Sequence, residues 1–270
     1  MVHPAIIIVA YHAGEHARRC VEAVRADAPN APTYLVDNES KPDQFQPILR
    51  EHPALLGMPL AGNAGFGAAA NQGIQRAFDE GATHALLLND DVYLRAGCVA
   101  ALVEATGEFG AASPWLAGVG DAAYRGGIID WEKGYAGHQE GATDYLIGGC
   151  MMISRQAWER TGWFDESFFL YCEDVDWCLR ARAAGVPLVV VATELADHDG
   201  GASTGAGHSA TWGYWWSRNR IKLVRKHQQG SAAKTALRQV GAIATSLWSS
   251  DRDVGLATAR LRGIARGLFS

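Results

Sequence analysis

Two adjacent acids interrupt an otherwise apolar stretch of the chain. The segment LLLNDDVYL, residues 86–94, runs from three leucines into Asn89, Asp90 and Asp91 and then becomes apolar again. Two neighbouring carboxylates repel each other at the end of a buried strand unless something binds them. Carboxylate oxygens in this position can hold a divalent cation, as a phosphate-handling site requires. The alternative is a solvated turn that caps the next helix.

A second acidic group follows a run of aromatic side chains. In SFFLYCEDVDWCLRARAAG, residues 167–185, a predicted helix begins with Glu173, Asp174 and Asp176. Acids in a first turn interact favourably with the helix dipole, which is the structural alternative. Three acids exceed what capping requires, however. A carboxyl group against an aromatic wall with acidic neighbours would have its pKa raised from about 3.9 towards useful basicity, which favours a general base.

The glycine-rich segment GNAGFGAAANQG, residues 62–73, suits a ligand at the start of a helix. Residues 65–70 match the GxGxxA form of the dinucleotide fingerprint. That fingerprint should follow the first strand of a βαβ unit, whereas this segment follows the third predicted strand. What remains is a tight turn before a helix N-terminus, which favours a phosphate or a ribose. A purely structural glycine turn is the alternative.

Two further segments carry candidate ligands in the second half of the chain. His198, in ADHDGGAST (residues 196–204), could coordinate a metal, and its glycine-rich surroundings could close over a ligand. The alternative is a histidine that lies on the surface or is held by structural hydrogen bonds. Arg218, in TWGYWWSRNRIKLVRKH (residues 211–227), could bind phosphate, because a guanidinium suits bidentate contacts with anions. The aromatic cluster beside it could equally belong to a hydrophobic core.

Composition indicates an ordinary globular chain with a sizeable core. Of the 270 residues, 48% are hydrophobic and 20% are charged. The five cysteines are an odd number and form no CxxC pair, which argues against a zinc site or a disulfide framework and favours a reducing compartment. No apolar run in the sequence is long enough for a signal peptide or a membrane span. We therefore expect a cytoplasmic protein.

Charge separates the C-terminal part from the rest. Residues 218–270 hold 11 Lys and Arg against two Asp, or +9, whereas the other 217 residues hold 13 basic and 27 acidic residues, or −14. Within residues 255–270 an apolar helical face opposes a basic one: the former holds Ala257, Leu261, Ile264 and Leu268, the latter Arg262 and Arg266. This pattern suits peripheral contact with an anionic membrane at its inner face. The favoured alternative is a helix packed on the rest of the chain or on a second subunit, as in a homodimer. We expect no nucleic-acid partner.

Strand and helix patterns alternate in the first half of the chain. Short apolar runs predict strands at residues 5–10, 33–36, about 55–60 and 84–88, with helices at about 15–26 and up to residue 80. This alternation predicts a parallel sheet with right-handed crossovers, in which ligands collect at the carboxyl ends of strands. Asp37 and the Asn89–Asp91 triplet both lie at such ends. We therefore expect them to share one crevice.

The remainder of the chain predicts a different organisation. Residues 107–150 are typical of antiparallel strands and loops, followed by helices at 155–161 and 174–184, a strand at 187–192 and helices from 212 onward. We predict an α/β fold whose central sheet is mostly parallel with a small antiparallel part. One domain would span residues 1–211, divided into two halves at about residue 106. Residues 212–270 would form a basic helical extension.

In this order, the motifs closely resemble those of the family 2 glycosyltransferases with the GT-A fold, and within them the rhamnosyltransferase-like enzymes. The matching segments include IIIVAYH, YLVDNES, GNAGFGAAANQGI, LLLNDDV, YLIGGCMMISRQAWERTGWFDESFFLYCEDVDWCLRARAAG, HDGGAS and WWSRNR. They span about residues 5–226, roughly four-fifths of the chain. The resemblance implies that residues 1–211 form a Rossmann-like GT-A catalytic domain that binds a nucleoside diphosphate sugar. Its nucleotide-binding half would be at about 1–106 and its acceptor half at about 107–211.

The resemblance also implies roles for individual residues. Asp37 would bind a pyrimidine base and Asp90 would face the ribose, within a nucleotide-binding set of Ala10, Tyr11, Asp37, Asn63, Gly65, Asn71 and Asp90. Asp91 and His198 would hold Mg²⁺ or Mn²⁺ on the diphosphate, whose charge Arg218 would also neutralise. Asp174 would be the general base. The donor sugar and the acceptor would lie against Trp115, Gly148, Gly149 and Glu173.

The implied reaction is a metal-dependent transfer of a sugar with inversion. Asp174 would deprotonate a hydroxyl of a glycan, a lipid-linked glycan or a small-molecule acceptor, and that hydroxyl would displace the nucleoside diphosphate. The first choice of donor is dTDP-rhamnose and the second is a UDP-hexose. Two alternatives remain: a non-catalytic relative that only binds nucleotide sugars, and a nucleotidyltransferase with a related fold. The latter would not need Asp174 as a base.

Overall fold

A computed structural model describes residues 2–118, 123–132, 134–138, 143–200, 209–247 and 253–269. Strands and helices alternate in the first half, as predicted: β1 (Pro4–Ala10), α1 (Glu15–Asp27), β2 (Thr33–Asp37), α2 (Pro42–Glu51), β3 (Leu56–Pro59), α3 (Phe66–Asp79) and β4 (His84–Asn89). Helix α2 was not part of the prediction. The other elements lie within a few residues of their predicted positions.

The second half begins with short strands and ends with helices. Its elements are β5 (Val92–Leu94), α4 (Cys98–Thr106), β6 (Ala111–Ala117), β7 (Ala123–Tyr124), β8 (Gly127–Asp130), β9 (Tyr135–His138), β10 (Cys150–Ser154), α5 (Arg155–Thr161), α6 (Glu173–Ala183), β11 (Leu188–His198), α7 (Ala210–His227), α8 (Ala232–Leu247) and α9 (Val254–Phe269). Strand β11 is longer than the predicted strand at 187–192, because it continues past two irregularities in its pairing with β6. His198 therefore ends a strand instead of lying in a loop.

The main sheet is mixed, with the strand order β3-β2-β1-β4-β10-β6-β11-β5 and β7 paired to β6. Pairing is parallel through β3-β2-β1-β4 and between β6 and β11. It is antiparallel where β10 joins β4 and β6, and where β5 joins β11. The α/β class and the combination of parallel and antiparallel pairing are confirmed.

Strand β1 is central to the sheet and buried on both faces, which explains its continuous apolar run. Ile6 and Ile8 face the hydrophobic cluster that includes α1, while Ile7 and Val9 face the cluster that includes α3. At the carboxyl end of β1, Ala10 pairs with Asp37 and Val9 pairs with Asn89. The two predicted polar strand ends therefore flank the same strand at one edge of the sheet.

Helices α7 and α9 approach closely because glycines line their contact. A Cβ atom at Gly267 would lie 2.7 Å from the Arg218 carbonyl oxygen, and one at Gly263 would collide with the Tyr214 carbonyl. The buried face of α9 holds Ala257 and Ile264, whereas Leu261 is 45% exposed. The sequence places Leu261 on the apolar face because hydropathy alone does not count glycines as contact residues. Packing within the extension is thus present, and contact with a membrane or a second subunit stays a prediction.

No described helix has both the length and the apolar character needed to cross a membrane. The boundary predicted between the catalytic domain and the extension falls near the start of α7. Helix α7 nevertheless contributes to the cavity described next. The proposed domain limits stay a prediction.

Candidate active site

A cavity of about 670 Å³ lies at the carboxyl ends of β1 and β4, between the glycine-rich turn, helix α6 and helix α7. Such an edge is where ligands bind in open α/β sheets. The cavity brings together these predicted residues: Tyr11, Asn63, Gly65, Asp90, Asp91, Gly148, Gly149, Glu173, Asp174 and His198. They come from segments far apart in the sequence, so the fold assembles them.

Asp91 and His198 meet because β5 and β11 pair in antiparallel fashion, with His198 opposite Val92. The Nε2 atom of His198 lies 3.2 Å from Oδ1 of Asp91, and the two side chains are only 10% and 5% exposed. Both ring nitrogens of His198 are buried and make no hydrogen bond within the part of the chain that the structure describes. A backbone hydrogen bond from Asp199 to the Asp91 carbonyl, 3.1 Å long, ties the two segments together.

Asp174 lies in the first turn of α6, with its carboxylate held against the segment before β10. Its Oδ2 atom accepts a hydrogen bond from the Gly148 amide at 2.9 Å, and its Oδ1 atom accepts one from the Val175 amide at 2.8 Å. A Cβ atom at position 148 would lie 2.9 Å from the Asp174 Cβ, so glycine is required for this approach. The carboxylate is therefore oriented by the backbone while it lines the cavity.

Glu173 lines the same cavity but is buried. Its Oε2 atom has no hydrogen-bond partner among the described residues, and the residue is 6% exposed. Burial, with the neighbouring charge of Asp174, raises the pKa of Glu173 to about 8. The expected raised pKa at this helix start is thus found at Glu173. A protonated Glu173 can donate a hydrogen bond into the cavity.

Replacing Glu173 with glutamine is expected to stabilise the protein more at pH 8 than at pH 5. The folded-state pKa of about 8 exceeds the ordinary value of 4.5, so the folded protein retains a proton that the unfolded chain releases between these values. The free energy of unfolding of the wild type therefore falls as the pH rises through this window, and glutamine removes that loss. Urea titrations measure the change in the free energy of unfolding that Glu173→Gln causes. This change should be larger at pH 8 than at pH 5 by more than about 1 kcal/mol. Equal effects at both pH values would contradict the burial argument.

Asp176, the third acid of this helix, has a structural role. It is fully buried and contacts Arg180 at 2.9 Å, Lys226 at 2.7 Å and His227 at 2.9 Å. Burial alone would raise its pKa, but the hydrogen bonds from His227 and Lys226 hold the pKa below the ordinary value. Asp176 therefore links α6 to α7 through these contacts with Lys226 and His227. The three acids have different surroundings, although they share one turn.

The part of the cavity beside the glycine-rich turn is shaped by amide side chains. Nδ2 of Asn38 donates to Oδ1 of Asn63 at 3.1 Å, and Oδ1 of Asn38 accepts from the Ala64 amide at 2.8 Å. Gly65 has φ +90°, and a Cβ atom there would lie 2.5 Å from the Phe169 carbonyl oxygen. The glycine turn is thus required by packing, which supports the structural alternative without excluding a ligand. Asp90 accepts a backbone hydrogen bond from Tyr11, while burial and Asp91 raise its pKa to about 7.

Five predicted site residues do not line the cavity. Ala10 is fully buried and its carbonyl accepts the Asn38 amide, while Asp37 accepts the Ser40 amide at 2.8 Å. The remaining three are engaged elsewhere: Asn71 bonds the backbone of Phe164 and the Glu166 side chain, Trp115 lies under Arg125, and Arg218 bonds the Ser167 carbonyl and Asn219. The family resemblance predicts Asn71 at the nucleotide, and the guanidinium chemistry of Arg218 predicts it at the diphosphate. Their side chains are held by structural hydrogen bonds instead.

The cavity also contains residues that the sequence did not single out as ligands. Asn38, Tyr124, Trp212 and Trp216 line it, together with the segment Phe169–Cys172. The rings of Trp212 and Trp216 stack at 6.1 Å, and Trp216 meets Tyr171 edge-on at 6.2 Å. Asn38 could have been found from its place at the end of β2. The tryptophans could not, because a helical aromatic cluster equally indicates core. Residues 201–204 of the expected closing loop lie outside the described residues.

The described lining of the cavity is acidic, so a cation would favour the binding of a phosphate group there. Four carboxyl groups line it, and no Lys or Arg of the described residues does; the acids are Asp90, Asp91, Glu173 and Asp174. Asp91 and His198 fit a divalent cation, because a carboxylate oxygen and a buried imidazole with unused nitrogens already lie together. The described residues contain no group of three or more metal-binding side chains, so diphosphate and water would supply the remaining ligands.

Solved structures share this fold. One is GalNAc-T7 with UDP, GalNAc and Mn²⁺, with a TM-score of 0.67, 15% identity, and coverage of 93% of this chain and 58% of that one. Another is the mannosyltransferase PcManGT from Pyrobaculum calidifontis with GDP-Man and Mn²⁺, with a TM-score of 0.62, 14% identity, and coverage of 98% and 80%. The fold is that of the GT-A glycosyltransferases.

Residues 5–162 match the model of glycosyl transferase family 2, and the chain belongs to that family. It is therefore a glycosyltransferase. The N-acetylglucosaminyl-diphospho-decaprenol L-rhamnosyltransferase of Mycobacterium tuberculosis is 26% identical over 82% of this chain and 91% of its own length. The low-salt glycan biosynthesis hexosyltransferase Agl10 of Haloferax volcanii is 26% identical over 67% of this chain and 62% of its own length. The resemblance to rhamnosyltransferases is confirmed.

Proposed function

We propose that this glycosyltransferase moves a sugar from a nucleoside diphosphate sugar to an acceptor hydroxyl with inversion at the anomeric carbon. One observation carries the proposal: a single cavity contains the oriented carboxylate of Asp174 and the buried pair of Asp91 and His198. The first site suits proton removal and the second suits a metal-bound diphosphate. Their presence in one cavity supports transfer of the sugar from the nucleoside diphosphate to the acceptor hydroxyl.

The proposed reaction is a single displacement. Asp174 removes the proton from the acceptor hydroxyl, and the resulting oxygen forms a bond to the anomeric carbon of the donor sugar. The bond between that carbon and the diphosphate oxygen breaks from the opposite face, so the configuration inverts. The hydrogen bond from the Gly148 amide orients Asp174 for this proton transfer. The nucleoside diphosphate leaves with the bonding electron pair.

The two ends of the donor would be held by different groups. Tyr11, Asn38 and Asn63 line the half of the cavity that would receive the nucleoside, while Asp37 fixes the adjoining turn through the Ser40 amide. Asp91 and His198 would hold Mg²⁺ or Mn²⁺, which supplies neutralisation of the charge on the departing diphosphate. Because Arg218 is engaged elsewhere, this neutralisation rests on the cation site.

The similarity to known relatives guides the choice of substrates to test. The name of the Mycobacterium tuberculosis relative supports an L-rhamnosyl donor and a polyprenyl-diphosphate N-acetylglucosamine acceptor. We propose dTDP-rhamnose as the first donor to test and a UDP-hexose as the second. Family membership argues against the nucleotidyltransferase alternative. The retained Asp91, Asp174 and His198 argue against a non-catalytic relative, which would not need all three.

A thermal-shift panel tests the donor site. The protein is heated with dTDP, UDP, GDP or their sugars, each with and without Mn²⁺. A ligand that binds only the folded state raises the melting temperature according to its affinity and concentration. We expect one pyrimidine diphosphate with Mn²⁺ to give a larger increase than the summed effects of nucleotide and metal alone. If no nucleotide raised the melting temperature, the proposal would be overturned.

Trp212 is expected to hold the acceptor sugar. It stacks on Trp216 and lines the cavity, but unlike Trp216 it is not packed against the main core cluster. A flat indole suits the apolar face of a sugar ring. In assays with an N-acetylglucosaminyl diphosphate that carries a short prenyl chain, Trp212→Ala should raise the acceptor KM about threefold to tenfold and leave the donor KM unchanged. Trp163→Ala, at a 50% exposed tryptophan outside the cavity, is the control. An unchanged acceptor KM would exclude Trp212 from the acceptor site.

A further inference from the structure

The segment that leads into the acidic turn of α6 has an unfavourable backbone conformation. Phe169, Tyr171 and Cys172 have φ values of 60°, 68° and 70°, although none is a glycine. The left-handed region is disfavoured for side chains of this size, so surrounding contacts must impose the conformation. Cys172 is the N-cap residue of α6, directly before Glu173 and Asp174. The conformation of this segment therefore sets where the first turn of α6 begins.

Asn219, on helix α7, forms hydrogen bonds to the backbone of this segment. Its Nδ2 atom donates to the carbonyl oxygens of Phe168 at 2.7 Å, Leu170 at 2.8 Å and Tyr171 at 2.9 Å. Its Oδ1 atom accepts a hydrogen bond from Arg218 at 2.7 Å, which fixes the orientation of the amide. The side chain is fully buried. A buried amide that contacts the carbonyls of three of the four residues 168–171 restrains the path of the backbone between them.

The opposite side of the segment is held by the glycine-rich turn. The Phe66 amide donates to the Phe169 carbonyl at 2.8 Å, and Gly65 leaves room for that carbonyl. We propose that Asn219 is a positioning residue: it holds the left-handed segment so that Asp174 faces the acceptor. This inference rests on the proposed role of Asp174 as the base. It makes a helix of the C-terminal extension part of the catalytic arrangement.

The test compares Asn219→Ala with the wild type and with Asn30→Ala, a matched change at an exposed position. Turnover is measured as release of dTDP or UDP from the donor chosen by the thermal-shift panel, with the prenyl-linked N-acetylglucosaminyl diphosphate as acceptor. Affinity for the same nucleotide with Mn²⁺ is measured separately. Amide hydrogen exchange of the peptide that covers residues 168–176 reports the segment itself.

We expect Asn219→Ala to lower kcat about tenfold to a hundredfold, with nucleotide affinity changed less than about threefold. Exchange should accelerate in residues 168–176 and stay unchanged in β1 and β4. Cys172→Gly in the Asn219→Ala background should recover at least about threefold in kcat, because glycine adopts the left-handed conformation readily. A purely structural role for Asn219 predicts no such recovery.

Two results would overturn the inference: an unchanged kcat per nucleotide-binding molecule, or unchanged exchange in residues 168–176. If the wild type itself released no nucleotide, the proposed function would fail, and the exchange experiment alone would decide whether Asn219 holds the segment. The failures of the two proposals are thereby distinguishable. Asn30→Ala should match the wild type in every measurement.

Discussion

Asp174→Asn is expected to lower sugar transfer by about 10²- to 10⁴-fold, the usual contribution of a general base. Asparagine has nearly the same shape, and its carbonyl oxygen can still accept the hydrogen bond from Gly148, while the bond from Val175 is lost. It cannot take a proton from the acceptor hydroxyl. The fold and the donor site should therefore persist while the chemical step is lost. The measurement is the rate of transfer beside the affinity for nucleoside diphosphate with Mn²⁺.

Asp43→Asn, at an exposed position in the first turn of α2, is the matched control and should transfer at the wild-type rate. If Asp174→Asn retained more than about a tenth of the activity, another group would have to be the base. The nearest candidate would be Glu173, whose raised pKa suits proton transfer near neutral pH. The pH–rate profile of the variant would then report which carboxyl group acts.

Asp91→Ala should abolish the part of nucleotide binding that depends on Mn²⁺. Loss of outer partners of a metal site commonly costs 10- to 100-fold in affinity, and loss of one of two direct ligands should cost at least about 100-fold. Isothermal titration of dTDP or UDP, with Mn²⁺ or with EDTA, measures this difference. In the variant the two titrations should coincide. His198→Ala should act in the same direction, because it removes the other member of the pair.

Asp197→Asn provides the control for this pair. Asp197 precedes His198 on β11, but it lies outside the cavity and pairs with Arg95 at 2.6 Å as a 47% exposed side chain. Loss of such an exposed ion pair should have little effect on stability and none on metal-dependent binding. If Asp91→Ala kept the full effect of Mn²⁺, the metal would have to bind elsewhere. The proposed cation site would then be wrong.

Much of the fold follows from local patterns. The apolar runs of β1, β2 and β4 and the alternation with helices place Asp37 and Asn89 on either side of β1. The length of strand β11 was underestimated because its second half contains Thr193, Glu194 and Asp197. Partial exposure of this half removes the regular alternation of apolar and polar residues. Its pairing with β5 depends on the whole sheet. A local pattern cannot contain that information.

The site was predictable where an acidic or imidazole side chain lies at the end of a strand or at the start of a helix. Asp91, Asp174 and His198 lie in one cavity, as their chemistry suggested. On α7, however, Arg218 was predicted to contact the ligand, whereas the residue that contacts the site segment is its neighbour Asn219. Arg218 bonds a carbonyl outside the cavity, while its neighbour Asn219 contacts the segment before Asp174. Consecutive helical residues point about 100° apart, so the docking angle of α7 decides which one faces the site. Only tertiary packing fixes that angle.

The pairing of β5 with β11 has a consequence for biosynthesis. Asp91 and His198 are separated by 107 positions, and at ribosomal rates the second follows the first by roughly 5 to 20 s. A nascent chain that has already formed β1 to β4 therefore contains only half of the proposed cation pair. With the proposed cation site, capture of a metal–nucleotide complex would wait until β11 has joined the sheet. Donor binding would then stabilise finished molecules over partly synthesised ones, because mass action favours only the state that binds.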